Sequence, residues 1–174
     1  MITLPPVFQI VGYADSGKTT LLCALVRHLT SLGMKVATLK HHGHQPDDSK
    51  RTRAAALDLP DKDTWLHLAA GAAGTGASSP ALSAVWTPGE ATLEELAVML
   101  PSADFILAEG FKRAPYAKWL LLREPRDIKL LDELVNVIGV SACFPFSHPS
   151  LPVVDRNEVE RIAAMAVAAA QMKA

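Results

Sequence analysis

Only two cysteines stand in the 174 residues, Cys23 and Cys143, and they are not spaced as a metal-binding pair. This excludes a disulfide-stapled secreted scaffold and a thiolate metal site as organising principles. Cys23 falls on the apolar stripe of a predicted helix and Cys143 ends an apolar run, so both read as buried free thiols of a reducing compartment. An excess of one charge sign is also lacking. The 17 basic and 18 acidic residues leave a net charge of −1, so no global field draws the chain to nucleic acid or to an anionic membrane, and any anion site must be local. No apolar run approaches the roughly 18 residues that a membrane span requires. The N-terminus shows no basic region followed by an apolar stretch and a cleavage site, and there are no internal repeats. The expectation is a cytoplasmic protein. With 49% hydrophobic and 20% charged residues, the chain has the composition of one globular domain, taken as 1–174, able to bury a core.

What the chain does contain is Gly12-Tyr13-Ala14-Asp15-Ser16-Gly17-Lys18-Thr19, a complete G-x-x-x-x-G-K-[ST] motif. Before it, Val7-Phe8-Gln9-Ile10-Val11 reads as a buried strand; after it, Leu21, Leu22, Leu25, Val26 and Leu29 recur at helical spacing. Strand, glycine loop and helix are the context that gives this motif meaning. Backbone N–H groups from Gly12 to Thr20 can converge on phosphates at the positive end of the helix dipole. Lys18 can reach the β- and γ-phosphate oxygens, and the Thr19 hydroxyl can ligate Mg²⁺.

Further along, strand-like and helical segments alternate. Lys35–Leu39, Ala81–Trp86, Asp104–Ala108, Lys118–Leu122 and Asn136–Val140 read as strands. Helices are expected from Thr64 to about Ala70, from a capping box at Thr92 to before Pro101, and from an Asn157/Glu160 cap toward Lys173. The alternation predicts an α/β, three-layer P-loop NTPase fold, with a mostly parallel sheet and helices on both faces. The polar stretch from Gln45 to Asp63 is too long for a tight connection and reads as a functional loop. Gly71 to Pro80 reads as a flexible piece.

A phosphate loop needs an acid for its metal, and in such folds the acid comes from the C-terminal end of a neighbouring strand. Glu109 follows Phe105-Ile106-Leu107-Ala108 and precedes Gly110, whose small size would let its N–H approach a γ-phosphate. Lys18 and Glu109 are therefore the candidate catalytic residues, and Thr19 and Glu109 the candidate metal ligands. Lys40-His41-His42-Gly43-His44 closes the second strand on the same side. Its imidazoles are able to bind a transition metal, to hold an anionic substrate with Lys40, to respond to a γ-phosphate, or simply to be solvated. Lys40, Gly110 and Lys112 complete the set assigned to nucleotide binding, with Tyr13, Ala14, Asp15 and Ser16 as the variable residues of the loop. Asp155 and Arg156 can lie near a nucleotide base or stabilise the entry to the last helix.

Taken in order, the phosphate loop, Lys40–His44, Lys62-Asp63-Thr64-Trp65-Leu66-His67, Leu107–Lys118 and Leu151–Asn157 resemble the MobB family, the molybdopterin-guanine dinucleotide biosynthesis adaptor proteins. The E-G-F-K stretch at Glu109–Lys112 is the specific part. The resemblance implies a homodimer that binds GTP and Mg²⁺ and hydrolyses GTP weakly beside the molybdenum cofactor guanylyltransferase, with molybdopterin as a further ligand. Lys112, Arg113 and Lys118 would then meet a pterin phosphate or an acidic partner face. No N-K-x-D element is present, so the choice of guanine follows from the resemblance alone. The alternatives are a metal-insertion GTPase, which usually carries a long His tract or paired cysteines absent here, and a small-molecule kinase of P-loop fold.

Overall fold

The computed structural model describes residues 4–41, 62–100 and 102–172. The chain divides into two compact units, residues 1–43 with 92–174 and residues 44–91.

The larger unit is built on five strands, β1 (Val7–Gly12), β2 (Val36–Lys40), β5 (Phe105–Glu109), β6 (Ala117–Leu122) and β7 (Val137–Ala142), in the order β2-β5-β1-β6-β7. Every pairing is parallel. Side chains alternate between the two faces, and both faces are covered, which is what an all-parallel sheet requires. Phe8, Ile10, Phe105, Leu107, Trp119 and Leu121 pack with α1 (Lys18–Ser31) and α5 (Val159–Gln171). On the other face Val7, Ile106 and Ala108 meet α3 (Leu93–Met99), while Val11, Leu120 and Leu122 meet α4 (Leu130–Glu133). This is the predicted three-layer α/β arrangement. The capping box of α3 also forms as read: Thr92 Oγ1 accepts from Glu95 N–H at 3.2 Å and Glu95 Oε2 accepts from Thr92 N–H at 2.8 Å.

The smaller unit contains α2 (Lys62–Ala69) and an antiparallel hairpin of β3 (Thr75–Ser78) and β4 (Ser83–Trp86). The Gly71–Pro80 segment, expected to be flexible, supplies β3. Small residues conceal a strand that packs little side chain, and its turn is tied by Ser79 N–H donating to Leu82 O at 2.8 Å.

Two further expectations are corrected. Cys23 and Cys143 are exposed, not buried; the buried stripe of α1 is Leu21, Leu22, Leu25 and Leu29, and Cys23 lies off it. The entry to α5 is not an Asn157/Glu160 cap. Asp155 Oδ1 accepts from Asn157 N–H at 2.8 Å and Glu158 Oε1 from Asp155 N–H at 3.2 Å. The reason is tertiary: Val153 bridges β7 at Val140, so extended chain ends at Val154 and the turn begins one residue later.

Candidate functional site

The loop between β1 and α1 leaves the C-terminal end of the central strand, the end at which open parallel sheets bind ligands. A Cβ at Gly12 would stand 2.6 Å from Ser16 Oγ and 2.7 Å from Leu121 O, so the loop closes this tightly only around glycine. Gly17 immediately precedes α1 at φ +91°, a left-handed conformation that the chain needs in order to turn into the helix. Ser16 is buried, and its Oγ has no hydrogen-bond partner among the described residues. A buried hydroxyl without a partner inside a cradle of amides is the feature an anion's oxygens would complete. Ala14, Asp15, Thr19 and Thr20 are exposed, so the cradle opens to solvent.

Lys18 folds back over the loop, donating from Nζ to Tyr13 O at 2.6 Å. Burial holds its ammonium below the usual lysine range; nearby Lys112 and Lys40 push the same way, and Glu109 and Asp15 oppose them. A partly desolvated cation among other cations is poised for an anion.

Glu109 is the last residue of β5, not the residue after it, and it is 7% exposed. Parallel register sets it beside Lys40 of β2 and Ile10 of β1. Its Oε2 accepts from Thr19 Oγ1 at 2.8 Å, and its Oε1 lies 3.4 Å from Lys40 Nζ. Mg²⁺ prefers hard oxygen donors in octahedral geometry at about 2.0–2.1 Å. Adjacent ligands of such an octahedron stand roughly 2.9 Å apart, close to the Thr19–Glu109 separation. The pair therefore fits two neighbouring Mg²⁺ positions, and when bound the ion would neutralise developing phosphate charge.

Gly110 serves differently from the expectation. Its N–H donates to Ile10 O at 3.0 Å as part of the sheet, so this amide is engaged with the backbone of β1. The segment after it is fastened from below by two buried side chains that face each other across β1 and β6, Gln9 and Lys118. Gln9 Nε2 donates to Gly110 O at 3.0 Å and to Phe111 O at 2.7 Å. Lys118 Nζ donates to Ala114 O and, at 2.9 Å, to Tyr116 O. Lys118 is thus fully buried and does not belong to an exposed basic face, which corrects the grouping with Lys112 and Arg113. Nearby, Tyr116 donates to Glu94 at 2.8 Å; burial, reinforced by that carboxylate, pushes its phenol up to about 12.

The fastened segment brings Lys112 Nζ to 4.4 Å from the Tyr13 ring centroid, next to the phosphate loop. Three more basic residues join it, of which Lys129 and Arg123 were not expected there. Lys129 Nζ lies 5.6 Å from the same ring, Arg123 pairs with Asp15 at 3.9 Å, and Arg156 reaches Gly17. Arg123 and Lys129 follow β6, so only the strand order reveals that they border the loop. Of the histidines, His41 lies against Phe111 with ring centroids 5.0 Å apart, and its N–H donates to Glu109 O at 2.9 Å. His42 and His44, like most of the Gln45–Asp63 stretch, lie outside the described residues.

Replacing Glu109 by Gln keeps the shape and removes the charge. We expect Mg²⁺-dependent nucleotide hydrolysis to fall while the melting temperature stays nearly unchanged, measured by Mg²⁺ titration of turnover beside a thermal scan. Equal Mg²⁺ dependence in both proteins would remove the metal role.

Similarity to known proteins follows the same lines. Residues 7–142 match the model of the family described as MobB, molybdopterin guanine dinucleotide synthesis protein B. A probable molybdopterin-guanine dinucleotide biosynthesis adapter protein of Bacillus subtilis is 37% identical over 78% of this chain and 75% of that protein. The corresponding Escherichia coli adapter protein is 32% identical over 92% of this chain and 91% of its own length. Among solved structures, the MobB homologue of Bacillus stearothermophilus superposes with a TM-score of 0.69 at 26% identity, covering 96% of this chain and 99% of that one. With its phosphate loop, its parallel sheet and these relatives in agreement, the chain belongs to the MobB family.

Proposed function

We propose that this protein is a cytoplasmic GTP-binding adapter of molybdopterin guanine dinucleotide biosynthesis that works as a homodimer beside a guanylyltransferase and hydrolyses GTP only weakly. The observation that carries the nucleotide reading is the Thr19–Glu109 pair at 2.8 Å, set beside a complete phosphate loop. Family membership and the names of the relatives support the pathway. Thr19 and Glu109 hold Mg²⁺, Lys18 meets the β- and γ-phosphates, and Lys112, Lys40 and the backbone of Gly12–Thr20 complete the cradle. Slow turnover follows from the absence in the sequence of an evident water-orienting glutamine or of an arginine finger acting in cis at the γ-phosphate, groups worth about 10³ to 10⁵ in rate. Arg113, exposed beside Lys112, is available to an acidic partner face or a pterin phosphate.

Base choice is the sharpest test. GTP is expected to bind at least tenfold more tightly than ATP, a difference of about 1.4 kcal/mol or more. Displacement of labelled GTP by unlabelled GTP and by unlabelled ATP at matched concentrations measures it. Comparable displacement by the two would favour a small-molecule kinase instead.

A further inference from the structure

We infer that Arg156 is a nucleotide-contacting residue whose guanidinium clamps the α- and β-phosphates at the Gly17 end of the phosphate loop. The inference rests on the nucleotide reading above and adds a residue to it.

The sheet delivers this side chain. Val154 N–H donates to Val140 O at 2.9 Å and Val140 N–H to Pro152 O at 3.0 Å, so residues 152–154 run as a short parallel extension beside β7. The chain then leaves at the C-terminal edge of the sheet, where the phosphate loop also stands. The turn that follows is held in one shape: Asn157 N–H donates to Asp155 Oδ1 at 2.8 Å, Asp155 N–H to Glu158 Oε1 at 3.2 Å, and Glu158 N–H to Asp155 O at 2.9 Å. Arg156 lies inside that turn, and its backbone direction is therefore set.

Its guanidinium lies over the end of the loop. Arg156 Nη1 would be 3.3 Å from a Cβ placed on Gly17, and it approaches Cys143 Sγ at 3.7 Å. The thiol is a weak acceptor and leaves the charge uncompensated. No carboxylate pairs with Arg156 among the described residues. The nearest acids in sequence are occupied, Asp155 and Glu158 by backbone amides and Glu158 also by Arg161 at 3.2 Å. A planar cation, unpaired with any acid among the described residues, thus stands against Gly17, which directly precedes the positive end of a 14-residue helix. Beside it is the buried, unpartnered Ser16 hydroxyl. Loops of this kind hold the α- and β-phosphates on their backbone amides and send lysine to the β- and γ-phosphates. A guanidinium over Gly17 is accordingly within reach of the phosphates that GTP and GDP share, and its fork matches two phosphate oxygens at once.

The test compares Mg·GTP and Mg·GDP binding by calorimetry in the full-length wild type, Arg156→Ala, Arg156→Lys and Lys18→Ala. Arg156→Ala is expected to weaken both nucleotides by similar factors, about tenfold or more, and Arg156→Lys to recover only part of the loss, because charge remains but the fork is gone. Thermal stability should be unchanged, since the side chain is exposed. Unchanged affinities in Arg156→Ala together with weakened ones in Lys18→Ala would overturn the Arg156 role and leave the nucleotide site standing. A loss confined to GTP would overturn it as well, because it would mean contact with the γ-phosphate alone. Unchanged affinities in both variants would instead sink the nucleotide reading itself. As a measurement that needs no variant, the Arg156 Nε–Hε resonance of the wild type should shift on addition of Mg·GDP, and an unmoved resonance at saturation counts against the contact.

Discussion

Lys18→Ala should lower affinity for Mg·GTP by roughly tenfold to more than a hundredfold, the 1.5–3 kcal/mol of a charge-assisted hydrogen bond. Two effects of the structure combine in that loss. The ammonium that would pair with phosphate disappears, and so does the 2.6 Å bond by which Lys18 holds Tyr13 O across the loop. The variant cradle must therefore be ordered by the nucleotide itself, which adds an entropic cost to binding. Folding should be little affected, because the hydrophobic faces of the sheet do not include this side chain. Isothermal calorimetry on protein whose circular dichroism matches wild type checks it, and an unchanged dissociation constant would refute the assignment of Lys18.

The largest effect on stability is expected at Trp119. Its ring is fully buried in the layer between the sheet and α1/α5, and its Nε1 donates to Ser141 Oγ at 2.9 Å. Gly139, on the neighbouring strand, leaves the space that the ring fills; a Cβ there would overlap the six-membered ring. Trp119→Ala should cost about 3–5 kcal/mol, with a further penalty for the abandoned Ser141 hydroxyl. For a chain of this size that lowers the melting temperature by roughly 6–20 °C. Gly139→Ala approaches the same contact from the other side and should cost about 1–3 kcal/mol by overpacking. Calorimetric melting of both variants decides the matter, and a wild-type transition in Trp119→Ala would show that the ring is not a core element.

Much of the candidate site was legible as sequence because its parts are local. The phosphate loop is a contiguous motif between a strand and a helix, so its chemistry follows from spacing. Glu109 was legible because one acid ends an otherwise apolar strand, and Thr92 because a capping box involves only two residues three apart along the chain. What misled was also local reasoning. Cys23 sits among leucines but one position off the buried stripe of α1, a rotation that periodicity resolves poorly. Lys118 looks like one more cation of an exposed basic segment, yet it is the second residue of a strand whose neighbours bury it, and its ammonium donates to backbone carbonyls just before it.

By itself, then, the sequence determined that a phosphate loop joins a buried strand to a helix, that parallel strands alternate with helices, and that an acid stands at the end of one of them. Those are properties of short segments, written in periodicity and in residue types that only one local conformation accepts. Tertiary structure alone decided which of those ends meet. The order β2-β5-β1-β6-β7 puts Glu109 against Thr19, gathers Lys112, Lys129 and Arg123 around Tyr13 and Asp15, and carries Arg156 to Gly17 from 139 positions away in the chain. Strand order is chosen by how whole faces of the sheet pack against helices, a sum over many weak apolar contacts that no single stretch of residues encodes.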